Sequence, residues 1–254
     1  MAQENSPHSL HVPLFQSLDA IGFGEHGNIR HFDTGTLFWS LTRLFGCYER
    51  VFLALAMSRE DRLFLDADLE HYIIRFRIVM NDVAFVIRQI MPSSLRGFKG
   101  LTGGVHPKNR EMSVFTLAQY LSKNSDSFPE FAEAFASASK WMARLANDRD
   151  NVVHYKSKVV VFETPIPSFA LVNAAGTERS EPTADGRSQM ALTQISEFVN
   201  SQMLALHRFM HEDLATAVTS YASRVGLKSI QAGHNHRISC IGIQRFRSIN
   251  AIAA

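Results

Sequence analysis

Arg149, Asp150 and His154 set a permanent cation, a carboxylate and a base that titrates near neutrality within six consecutive residues. If the segment is helical, Asp150 and His154 stand at i and i+4 on one face, and Arg149 is long enough to reach round beside them. Those are the parts of a site that cleaves a phosphodiester, and all three could act on one phosphate. The plain alternative is an Asp–His pair on a solvated helix surface. Arg followed by His after four residues is expected about once by chance in a chain of this composition, and it occurs once here. Its weight therefore comes from the elements around it.

Upstream, Ser127 to Leu145 reads as an amphipathic helix, with Phe128, Phe131, Phe135, Ala138, Met142 and Leu145 at steps of three and four. Asn147 and Asp148 offer cap chemistry, so a break is expected there, with a fresh helix opening at Arg149. Asp150 would then lie in a first turn, where the helix dipole favours a carboxylate. Downstream, Val159 to Phe162, a turn at Pro165 and Pro167, and Phe169 to Val172 read as a β-hairpin over about 158–173. A polar link over about 174–187 has no apolar anchor and is expected to be disordered.

The same stepping predicts helices from Thr34 to about Ser58, from Asp66 to Met91, from Glu111 to Lys123, and from Ser188 to about Arg224. Residues 1–33 lack a clear period and read as an N-terminal arm. Residues 225–254 read as a basic tail, in which Ile238 to Phe246 could add a strand. The expected fold class is all-α, an antiparallel helical bundle over 34–224 with a small hairpin insertion after the motif helix.

Composition agrees with that class. Hydrophobic residues make up 46% and charged residues 20%, and the 19 Phe against sparse Gly and Pro favour helices packed through aromatic ridges. No apolar run approaches the roughly 20 residues of a membrane span, and Met1 to Pro7 lacks the basic and apolar regions of a signal peptide. Cys47 and Cys240 are the only cysteines, which fits a reducing compartment. A cytoplasmic location is the expectation, with no membrane partner.

At this point the chain resembles the HEPN family, helical domains named for higher eukaryotes and prokaryotes nucleotide binding. The resemblance is carried by Arg149, Asp150 and His154: the family pattern is Arg, usually Asn, Asp or His, three variable residues, then His, at the start of a late helix. It implies metal-independent endoribonuclease activity, in which a ribose 2′-hydroxyl attacks the adjacent phosphorus and leaves a cyclic phosphate and a 5′-hydroxyl. His154 would move the proton, a role worth roughly two to four orders of magnitude in rate. Arg149 would hold the phosphate and the charge gathering on its oxygens, and Asp150 would orient the imidazole. The resemblance also implies a homodimer with a composite groove, no cofactor, and a defensive or stress-linked setting in which a protein partner could hold the activity off. The alternative is a non-catalytic module of the same shape that binds a nucleotide, RNA or a protein.

Net charge is only +2, but it is unevenly spread. Arg96, Lys99, Lys108 and Arg110 stand unopposed in a Gly-rich loop and are candidate RNA contacts. After Asp213 there is no acidic residue, while Arg224, Lys228, Arg237, Arg245 and Arg247 accumulate beside His234 and His236, a second candidate anion surface. Phe246, between Arg245 and Arg247, is the one aromatic placed to stack on a base there. Arg75 and Asp82 lie on the flank of the second helix as surface charges or as a polar network behind the motif. His207 and His211 have the i, i+4 spacing of metal ligands. Arg208 beside the first and the missing zincin glutamate favour a solvated helix face instead, so no metal is expected.

Overall fold

The long runs of three- and four-residue apolar steps are helices in the folded chain, which is mainly helical with small antiparallel sheets. The computed structural model describes residues 6–22, 31–91, 113–153, 158–172, 180–182, 188–190, 192–227 and 237–251. In chain order these form β1 (Ser9–His11), α1 (Pro13–Gly22), α2 (His31–Ala56), α3 (Leu65–Ile90), α4 (Val114–Lys123) and α5 (Pro129–Val153). There follow β2 (Lys158–Phe162), β3 (Ser168–Val172), β4 (Ser180–Pro182), β5 (Ser188–Met190) and β6 (Thr193–Gln194). The chain then runs through α6 (Ile195–Arg208), a π-helical turn (Phe209–Leu214), α7 (Ala215–Arg224), β7 (Arg237–Ser239) and α8 (Ile243–Asn250).

α3 is the hub. Leu69, Tyr72, Ile73, Phe76, Met80, Val83 and Ile87 are fully buried, and α2 packs along it through Leu37, Leu41, Leu44, Tyr48 and Val51. Tyr72 buries its ring and still satisfies its hydroxyl, which donates to the Val199 carbonyl of α6 at 3.0 Å. Edge-on ring contacts continue outward from Phe76 to Trp141 of α5, and from Trp141 to Phe209 of the π turn. Such contacts add to the area term that drives the core.

β2 and β3 pair antiparallel from Lys158↔Val172 to Phe162↔Ser168, and β6 extends the sheet beside β3. The sheet is fastened to the helices. The Val159 amide donates to Glu70 Oε1 of α3 at 3.1 Å, and Phe169 packs on Phe198 of α6.

Several boundaries differ from the sequence reading. α5 runs unbroken through Asn147 and Asp148, because backbone bonds of a packed helix override the weak preference of those residues for caps. Ser188 to Met190 are a strand paired with Ser180–Pro182, so part of the expected link is paired and the last helix begins only at Ile195. Leu192, inside the expected helix, precedes the observed one and is exposed.

The two ends of the chain are also built in. β1 pairs with β7, Ser9↔Ser239 to His11↔Arg237, so the expected arm and tail form one small sheet. Leu14 and Leu18 of α1 and Phe246 of α8 are fully buried. Ile243 to Asn250 are helical instead of a strand, and Asn250 exchanges side-chain amide bonds with Asn200 of α6 at 2.9 and 3.3 Å. Short, irregularly spaced apolar residues such as these gain order only from partners far away in sequence.

Candidate active site

α5 carries Arg149 and Asp150 in the last of its described turns. That turn is held down by Val152, which is half-buried against the core, and one turn before the motif Arg144 lies over the Phe198 ring at 5.8 Å. Phe198 also meets Tyr72 and Phe169. The end of α5 therefore leaves the helical core where α3, α6 and the β2–β3 hairpin converge. Because α5 continues through Asn147 and Asp148, the motif does not open a fresh helix, and the first-turn placement expected for Asp150 is corrected. His154, the next residue after Val153, lies outside the described residues, as do Arg96, Lys99, Lys108 and Arg110 of the basic loop.

The basic C-terminal residues are largely used internally. Arg224 makes a two-pronged pair with Glu130 at 2.6 and 3.0 Å and donates to the Ser127 carbonyl. That guanidinium holds the Glu130 carboxyl below its usual range. Arg245 pairs likewise with Glu49 of α2 at 2.8 and 3.0 Å, and Arg247 donates to the Ser6 and Ser9 carbonyls. The expected anion surface is therefore corrected at these three positions: their charge fastens α7 to α5 and α8 to α2 and β1. Lys228, His234 and His236 lie outside the described residues. Phe246 is no stacking platform, since it is enclosed by Phe45, Tyr48 and His207.

No family model, curated protein or solved structure matches this chain.

Arg75 and Asp82 do not form a joint network. The Arg75 charge acts on Cys47 of α2, whereas Asp82 bonds to Ser40, and burial raises the Asp82 carboxyl. His207 departs furthest from expectation. It is half-buried instead of solvated, stacked on His211 with ring centroids 5.2 Å apart, and its pKa is lowered to about 4 by burial and then by His211 and Arg208.

A cavity of about 400 Å³ between α5 and α7 is lined by Glu130, Glu133, Glu212 and Asp213 with the hydroxyl of Ser137. Its sign is wrong for a phosphate. From Glu133 to Arg149 the helix advances ~24 Å, so this cleft is also remote from the motif. Among the described residues, no three His, Cys, Asp or Glu side chains are grouped to hold a metal ion, and no helix is long and apolar enough to cross a membrane.

Proposed function

We propose that this protein is a HEPN-like endoribonuclease that cleaves RNA without a metal ion, with Arg149 binding the phosphate, His154 moving the proton and Asp150 orienting the imidazole. The observation that carries the reading is the joint placement of Arg149 and Asp150 on one turn of α5, with His154 next in the chain after the last described residue of that helix. The mainly helical setting and the adjoining sheet support it, because they tie the cation and carboxylate to a packed frame rather than to a free loop.

In the reaction, the 2′-hydroxyl loses its proton to a base and its oxygen attacks phosphorus. The bond to the 5′-oxygen then breaks, and that oxygen takes a proton. Imidazole chemistry serves either proton at neutral pH, and the guanidinium offsets charge on the non-bridging oxygens. A homodimer would bring two copies of the motif to one groove, with RNA as the substrate and the 96–110 basic residues as outer phosphate contacts.

The test is cleavage of a generic single-stranded RNA in EDTA by the full chain. His154→Ala should lose about 100-fold or more of the rate, Arg149→Ala a similar factor, and the product should end in a cyclic phosphate. Undiminished cleavage by both variants would sink the assignment. Tight, salt-sensitive RNA retention without product would instead identify a binding module. Sedimentation as a dimer is the expected state, and a fully active monomer would remove the composite groove.

A further inference from the structure

Leu63 and Phe64, just before α3, are 75% and 71% exposed, and Ile166 in the β2–β3 turn is 50% exposed. Leu53 and Met57, four residues apart where α2 ends, are 45% and 48% exposed. Arg62 draws these three segments together: its guanidinium donates to the Leu55 and Met57 carbonyls and pairs with Glu163 of the hairpin turn at 2.8 Å. The five side chains therefore share one surface. At roughly 200 Å² for a full large side chain, their exposures leave about 600 Å² of apolar area. That is the upper end of what one patch on a monomer shows, and most of the roughly 800 Å² that each partner of a stable pair buries. The patch also lies at the motif-bearing end of the bundle. Trp141 meets Phe76, and Arg144 lies over Phe198, which meets Tyr72, so α5 runs antiparallel to α3 and its later turns head for the Leu65 end.

We propose that a second copy of this chain docks on this patch about a two-fold axis, with Leu63 and Phe64 of each copy packed on those of the other. The charges around the patch select that occupant. Arg59 precedes the apolar pair and Asp66 follows it, both exposed, so an antiparallel copy brings unlike charges together across the axis. A lipid surface is disfavoured by the exposed Glu60, Asp61 and Asp66, since anionic headgroups repel carboxylates. The internal Arg62–Glu163 pair holds the hairpin turn beside Leu63 before docking, which lowers the ordering cost of the contact. The consequence for catalysis rests on the ribonuclease reading: the contact draws the two motif-bearing ends of α5 toward one another. The contact itself stands without that reading.

The test is sedimentation equilibrium of the full chain. The native protein should be a dimer at micromolar concentration, and Leu63→Glu/Phe64→Glu should weaken the pair about 100-fold or more with unchanged circular dichroism. Trp39→Glu, at an exposed side chain in the other half of α2, should leave the dimer intact. Arg59→Glu should weaken it about tenfold, and Arg59→Glu/Asp66→Arg should restore it. A native monomer, an unweakened Leu63→Glu/Phe64→Glu dimer, or no rescue by the charge exchange would overturn the proposal. So would a monomer that floats with phosphatidylserine vesicles through the same two apolar residues. RNA cleavage separates the contact from the nuclease. A dimer through this patch that cleaves nothing keeps the contact and removes the ribonuclease, whereas cleavage by a chain that stays monomeric keeps the ribonuclease and removes the contact.

Discussion

His207 and Gly242 show how single residues carry tertiary constraints. The folded pKa of His207, about 4, lies below its ordinary value of 6.5, so the unfolded chain binds the proton more readily. Its contribution to stability is therefore complete above pH 6.5 and is lost as pH falls toward 4. Urea midpoints taken from pH 7.5 down to 4.5 should drop more steeply for the native chain than for His207→Leu; parallel curves would mean that the ring is not buried in solution. Gly242, at φ 93°, opens α8 where a Cβ would meet the Phe45 carbonyl oxygen at 2.4 Å. Gly242→Ala should lose about 1–3 kcal/mol in a denaturant titration, from the left-handed backbone and the forced retreat of α8 from α2. A loss within error would show that α8 does not dock as described.

At the scale of elements, the continuity of α5 matters most, since it decides whether the motif opens a helix or rides on one already packed. Proline at position 148 would remove a backbone donor and crowd the carbonyl of Arg144. With α5 unbroken, Asp148→Pro should cost about 3 kcal/mol of stability. At a natural break, the same change would be nearly neutral. RNA cleavage should fall along with stability, because Arg149 and Asp150 ride on the turn that proline disrupts. The π turn has a comparable role on the other long helix: it sits between α6 and α7 where His211 stacks on His207, while Phe209 remains fully buried against Phe135 and Trp141.

For the whole molecule, closure comes from pairing the two ends. β1 and β7 form one sheet, α8 seals Phe45 and Tyr48 with Phe246, and Arg245 and Arg247 fix that seal to Glu49 and to backbone carbonyls. Removal of residues 237–254 should therefore expose apolar core and give an aggregating or partly unfolded chain, scored by dye binding and lost cooperativity on heating. An appended tail would come off with no change in midpoint. The same arrangement bears on RNA binding. With Arg224, Arg245 and Arg247 engaged internally, the salt dependence of binding should change less on Arg245→Ala than on Lys99→Ala.

The periodic stripes of α2, α3, α5 and the α6–α7 segment were legible because long amphipathic helices announce themselves by spacing, whatever they pack against. Arg149, Asp150 and His154 were legible too, as a set of side-chain types at short range. The direction of the helix beneath the first two was not: Asn147 and Asp148 look like a cap locally, and only packing of the following turn through Val152 carries α5 past them. Nor could spacing tell that the basic residues near the C-terminus face Glu49, Glu130 and backbone carbonyls, since each partner lies at least 94 residues away. His207 and His211 looked like a wet helix face in one dimension. Burial beneath β1 and α8, set by long-range pairing, made the first a neutral ring at the wall of a cavity. The sequence by itself determined the long amphipathic helices and the side-chain types that the motif brings together. Tertiary structure decided which charges are free to act and which are already engaged, because burial and long-range pairing depend on neighbours that no local pattern names.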